Sequence, residues 1–180
     1  LDSVKVIAGC LEAQATFSLE SAEVVEAVNF NAPGQVVIAG ANAAVTKACE
    51  LLKAAGAKRA LPLSVSAPFH SSLLQSASEK LAIYLEKITF HPPSIPLINN
   101  VDVSVLSNPQ AIKDALVRQA AKPVRWQEII QAMAAQGITQ VVECGPGKVL
   151  TGLTKRISAE LKCIALVNES ALDEFKTFIQ

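Results

Sequence analysis

Charge, aromatic rings and histidines are all sparse in this sequence. Of its 180 residues 18% are charged and 4% aromatic, with two histidines, one Trp and one Tyr. Sixteen Lys and Arg balance sixteen Asp and Glu, and no long run of either sign occurs. That excludes a broad nucleic-acid surface or an anionic-membrane patch, though not a local basic pocket. No apolar stretch approaches the ~20 residues needed to span a bilayer, and the N-terminus carries no signal-peptide pattern. Cys10, Cys49, Cys144 and Cys163 are scattered, with no Cys-x-x-Cys pair and no histidine at ligand spacing. Neither a metal site nor a disulfide framework is expected, and isolated cysteines in apolar company read as free thiols in a reducing, cytoplasmic setting. Two catalytic signatures are missing as well. No Gly-x-Ser-x-Gly elbow occurs. Gly145-Pro146-Gly147-Lys148 is not a phosphate loop, because Val142 and Val149 stand where that pattern needs Gly and Ser or Thr.

What the chain does hold is core: 51% of its residues are hydrophobic, enough for one ordinary domain or two small ones. Val4 to Ala8 alternates and is β-branched, which predicts a strand ended by Gly9, followed by helix formers over ~10–21. Glu23 to Phe30 and Gln35 to Gly40 predict two strands joined by the turn cluster Asn31-Ala32-Pro33-Gly34. Asn42 is a candidate cap for a helix to about Ala55, with Val45, Cys49, Leu52 and Ala55 on one face and Gly56 ending it. Lys58 to Val65 reads as a further extended run broken by Pro62. The resulting β-α-β-β-α-β order describes a ferredoxin-like subdomain over residues 1–64. Over residues 65–180 the periodicity predicts helices at Ser71–Ile88, Gln110–Gln119, Trp126–Ala135 and Pro146–Leu161. Strands are expected at Ile95–Ile98, Thr139–Glu143 and Cys163–Leu166. Strands alternating with helices imply a parallel sheet. Three strands make only half of a doubly wound sheet, and the chain opens Leu1-Asp2-Ser3 without Met at the threshold of a strand. A piece of a longer polypeptide is expected.

His70, in Ala67-Pro68-Phe69-His70-Ser71, sits at an extended-to-helix transition, where loops place reactive groups. Imidazole can take and return a proton near neutrality; a packed or capping histidine is the plainer alternative, and spacing alone does not choose. Ser71 and Ser72 are too close to His70 in sequence to be good nucleophiles for it. His91, in a loop with Pro92 and Pro93, reads as solvated. Asn29 and Asn31, two apart on a strand, are expected on one face. The amides after Gly145-Pro146-Gly147 are candidates to line a pocket.

Four stretches in series carry a resemblance: Asn29 to Gly40 (NFNAPGQVVIAG), Ala67 to Ser71 (APFHS), Asn99 to Asp102 (NNVD) and Glu143 to Leu150 (ECGPGKVL). In order and spacing the chain resembles the C-terminal part of the malonyl-CoA:acyl carrier protein transacylase family, acyltransferases of fatty acid biosynthesis. The resemblance implies an α/β protein, with a ferredoxin-like insert (1–64) and the C-terminal part of an α/β-hydrolase-like core (65–180). It implies that His70 is the base for a serine on a Gly-His-Ser-x-Gly elbow and that the backbone carbonyl of Gln119 orients the imidazole. Asn31 would line the substrate pocket, and Phe69 would restrict it in favour of malonyl. The elbow, the malonate-binding arginine and the oxyanion loop would lie upstream of residue 1, leaving residues 1–180 inactive alone. The implied partners are malonyl-CoA and phosphopantetheinylated acyl carrier protein, with no cofactor or metal, no nucleic acid and no membrane. A non-catalytic module that binds the carrier protein or another subunit is the alternative, and a hydrolase using Ser71 or Ser72 a third.

Overall fold

The computed structural model describes residues 1–18, 21 and 23–178. They form two compact units, Leu1–Arg125 and Trp126–Gln180, and the boundary expected at 64/65 falls inside the first. No helix among the described residues is long and apolar enough to cross a membrane.

The first unit opens with α1 (Ser3–Ala15), which corrects the strand expected at Val4 to Ala8. Asp2 decides the matter: its carboxylate accepts from the Lys5 backbone N–H at 2.8 Å and caps the helix. Val6, Cys10 and Ala13 then recur at helical spacing on a buried face, while Val4 and Ile7 point to solvent. Packing of one stripe overrides the β-branched run. Strands β1 (Val25–Ala32) and β2 (Gln35–Gly40) form the expected antiparallel hairpin. Gly34 takes φ 72 at its tip, the left-handed value a turn residue after Pro33 needs. Helix α2 (Asn42–Ala54) follows. Asn42 is its first helical residue and not its cap, since the N-cap position is Ala41 and no side chain bonds there. Its buried face is Ala44, Ala48 and Leu52, one residue out of phase with the expected Val45 and Cys49. The core of this unit joins Val6, Cys10 and Ala13 of α1, Val25 and Ala27 of β1, and Ala44, Ala48 and Leu52 of α2. Burial, with the nearby Cys49 and Glu26 adding to it, pushes the Cys10 thiol up to about 11.

Lys58 to Val65 is not a strand. It makes no ladder with any described segment, and its alternating Leu61, Leu63 and Val65 are exposed. Among the described residues the order is therefore α-β-β-α, without the two outer strands. The helix expected over Ser71–Ile88 is split into a 3-10 turn (Ser72–Leu74) and α3 (Gln75–Glu86). Ile95–Ile98 is reduced to one bridge, Ile98 to Val105. Helix α4 (Pro109–Gln119) is capped by Asn108, which accepts from the Gln110 and Ala111 amides, and packs against α3. Past α4 the chain returns to β1: Val124 N–H donates to Val28 O, and Phe30 N–H donates to Val124 O, each at 2.9 Å.

The second unit runs α5 (Trp126–Ala135), β3 (Gln140–Cys144), α6 (Val149–Ile157), β4 (Lys162–Leu166) and α7 (Ser170–Phe178). Strands β3 and β4 pair in parallel, as expected, from Gln140–Lys162 to Cys144–Leu166. Helix α6 is shorter than predicted, and α7 lies beyond any element read from the sequence.

Candidate active site

The turn that carries His70 is strained and heavily tied. His70 has φ 63, a left-handed conformation that costs a non-glycine residue about 1–2 kcal/mol and persists only where neighbours enforce it. On its C-terminal side Ser71 is fully buried, and its hydroxyl donates to Pro68 O at 2.7 Å. One residue further, the Ser72 backbone N–H donates to the Glu26 carboxylate on β1 at 2.7 Å. Sequence reasoning misses Glu26, because 46 residues separate it from its partner.

The imidazole is oriented by the end of α4. His70 Nδ1 lies 2.9 Å from the carbonyl oxygen of Gln119, the pair implied by the resemblance. A carbonyl only accepts, so the contact assigns the proton to Nδ1 and leaves the Nε2 lone pair for chemistry. That turn of α4 is itself braced. The buried Ser78 on α3 donates its hydroxyl to Val117 O at 2.6 Å. Arg118 donates from both terminal nitrogens to Asp102, each at 2.7 Å, and from Nε to Asp114 at 2.7 Å. Hydrogen bonds from this guanidinium hold the Asp102 carboxyl below its ordinary range. Asp102 ends the quoted Asn99-to-Asp102 motif, and Arg118 directly precedes Gln119. Both are therefore in view in the sequence, without their pairing.

The remaining candidates are placed less tightly. Phe69 is 51% exposed. Asn29 and Asn31 are half-buried on β1, but Asn31 has no partner in the hairpin register, which shifts between Phe30 and Ala32. A bulge thus separates the two amides, and strict alternation no longer places them on one face. His91 is exposed in its loop. Among the described residues no hydrogen bond joins His70 to Ser71 or Ser72, and the Ser71 hydroxyl is spent on Pro68. The amides after Gly145-Pro146-Gly147 are not free: Glu143 accepts from Leu150 N–H at 3.1 Å and from Thr151 N–H at 2.7 Å. No cluster of His, Cys, Asp and Glu among the described residues could hold a metal ion. A cavity of about 450 Å³ between Glu86, Phe90, Asn108 and Lys113 is not lined by His70.

An imidazole whose Nδ1 is held by a main-chain carbonyl, on a strained turn of an α/β chain, has its Nε2 left to exchange a proton. The acyl transferase domain profile matches residues 8–169, and the chain belongs to that family. Relatives it matches include malonyl transferases. It is 52% identical to the malonyl CoA-acyl carrier protein transacylase of Escherichia coli K12 over 172 residues, 96% of this chain and 54% of the relative. With the enzyme of that name from Haemophilus influenzae it shares 49% identity over 179 residues, 99% of this chain and 55% of the relative. A solved acyl-carrier-protein S-malonyltransferase from Burkholderia pseudomallei superposes with TM-score 0.93 at 58% identity, covering 98% of this chain and 56% of that one. A malonyl-transacylase solved in complex with a type II polyketide acyl carrier protein matches at TM-score 0.91 and 47% identity, over 96% and 54% of the two chains. The chain spans about half the length of the curated relatives it matches.

Proposed function

We propose that this chain supplies the histidine side of a site that moves a malonyl group from coenzyme A to the phosphopantetheine thiol of acyl carrier protein. In this reading a serine outside residues 1–180 is the nucleophile. His70 Nε2 takes its proton as the oxygen attacks the thioester carbonyl; the C–S bond to coenzyme A breaks, and the imidazolium returns the proton to the leaving thiolate. The carrier thiol then gives its proton to His70 and attacks the malonyl ester, and the serine is regenerated. The Gln119 carbonyl keeps the imidazole in one tautomer and steadies the imidazolium. Asn31 and Phe69 border the acyl group, with Phe69 favouring malonyl over a branched analogue by the 1–3 kcal/mol or so that one methyl can supply. The α1-β1-β2-α2 layer belongs to a ferredoxin-like insert (1–64) in an α/β-hydrolase-like core (65–180). The setting is cytoplasmic fatty acid biosynthesis, without a cofactor.

The observation that carries the proposal is the 2.9 Å contact between His70 Nδ1 and Gln119 O. The family match and the neighbour solved with a carrier protein support it. The test is transfer of labelled malonyl from malonyl-CoA to holo carrier protein by the intact protein and its His70→Ala variant. A fall of roughly 10²–10⁴-fold is expected, and residues 1–180 alone should form no malonyl-serine adduct until a serine-bearing segment is added. Equal rates with and without the imidazole would refute the base.

A further inference from the structure

The last carbonyls of a helix lack donors of their own, and α4 settles each differently. Val117 O receives the Ser78 hydroxyl at 2.6 Å and the Ala120 N–H at 3.3 Å. Arg118 O receives the Ala121 N–H at 3.2 Å. Gln119 O receives His70 Nδ1 at 2.9 Å. Had the helix continued, the donor to Gln119 O would have been the amide of residue 123. Residue 123 is proline and has none.

We propose that Pro123 is the positioning residue that reserves the Gln119 carbonyl for His70, and through it selects the imidazole tautomer. The inference rests on the reading of His70 as the base, and goes beyond it by naming what keeps the acceptor open. The surroundings agree. The Gln119 side-chain amide donates to Lys122 O at 3.0 Å and Pro123 O at 3.2 Å, closing the turn by which the backbone leaves α4. Directly after Pro123, Val124 joins β1 through Val28 and Phe30. The proline thus stands where the chain changes from helix to sheet edge, and it removes the main-chain donor that an α-helical continuation would have aimed at the carbonyl. Any other residue there would supply an N–H four positions on from the acceptor, the spacing of an α-helical bond, and the imidazole would then share the carbonyl with it.

The test is a ring ¹⁵N spectrum of the intact protein at alkaline pH, with His91 as a solvent-exposed internal reference. Unaltered protein should show His70 almost wholly as the Nδ1–H tautomer. Pro123→Ala should give a mixture, and the backbone amide that this substitution creates should gain protection from hydrogen exchange. Its kcat should fall on the order of tenfold, the value of one hydrogen bond, with KM little changed. Pro123→Val, which favours the extended backbone, guards against misfolding and should move the tautomer less. An Nε2–H tautomer in the unaltered protein, or an unchanged tautomer in the folded variants, overturns the proposal. The two readings fail separately: transfer indifferent to His70→Ala sinks the base and leaves the tautomer comparison to decide Pro123. An unmoved tautomer sinks Pro123 and leaves the base standing.

Discussion

Glu143 offers a quantitative test of the local energetics, because α6 borrows its cap from a strand. The N-cap position, Lys148, makes no side-chain bond to the helix. The first turn is served instead by Glu143, which accepts from Leu150 N–H at 3.1 Å, Thr151 N–H at 2.7 Å and the Thr151 hydroxyl at 2.8 Å. Two orphan amides and the positive end of the helix therefore converge on one carboxylate. Losing an ordinary cap costs about 0.5–2 kcal/mol, and a carboxylate at a helix N-terminus contributes about 0.3–1 kcal/mol more. Glu143→Ala should thus destabilise the second unit by roughly 1–3 kcal/mol, and Glu143→Gln, which keeps an acceptor without the charge, by less. The pH dependence has a definite sign. Burial pushes the carboxyl up, but hydrogen bonds from Thr151 and Leu150 outweigh it, and the net value is lowered. A depressed folded-state value means stabilisation that is complete above the unfolded range near ~4.3 and is lost as pH falls through the folded value. The assay is urea unfolding at neutral and acidic pH, with hydrogen exchange of the Leu150 and Thr151 amides as the local probe. Glu143→Gln should flatten the acid slope. If Glu143→Ala leaves both amides protected, or if alanine and glutamine variants behave alike at neutral pH, the borrowed cap is wrong.

Two glycines should respond unequally to alanine. A Cβ at Gly40 would lie 2.0 Å from the Val24 carbonyl oxygen, main chain that cannot swing aside, so Gly40→Ala should cost about 3 kcal/mol or more by urea midpoint. At Gly9 the same atom meets only the tip of Leu52 at 2.6 Å; the ~0.8–1 kcal/mol gain in helix propensity offsets part of the clash, and Leu52→Val should recover most of the rest. Asp102→Asn should remove about 0.5–1 kcal/mol at neutral pH, a small figure because Arg118 and Asp102 are 37% and 34% exposed. Since the Asp102 carboxyl is lowered by Arg118, that loss should vanish as pH drops through the folded value, and an effect that persists there would assign it to packing.

How much of the fold was legible depended on whether a pattern had its partner within reach. The hairpin of β1 and β2, the span of α5 and the parallel β3–β4 pair all follow from local runs between turn residues. Val4 to Ala8 misled because five residues fit both periods, and one capping carboxylate at Asp2 tipped the balance toward the helix. Lys58 to Val65 misled for the opposite reason: a strand exists only in its ladder, and no described segment supplies one.

The site was legible in its side chain and illegible in its scaffold. His70 stood out as one of two histidines, but every bond that holds its turn has a main-chain group on one side: Gln119 O on the ring, Pro68 O under the Ser71 hydroxyl, the Ser72 amide on the Glu26 carboxylate. Every residue carries a carbonyl, so side-chain identity does not reveal which one an imidazole will use; here the resemblance, not spacing, singled out Gln119. Proline is the exception, since it alone writes the loss of a main-chain donor into the sequence. Four residues after Gln119, that loss falls on the amide that an uninterrupted α-helix would aim at its carbonyl. In the sequence Pro123 reads only as the stop beyond α4. If Pro123 positions the ring as proposed, the same missing hydrogen both ends the helix and opens the acceptor, so the boundary of an element and the orientation of the imidazole would have one physical cause.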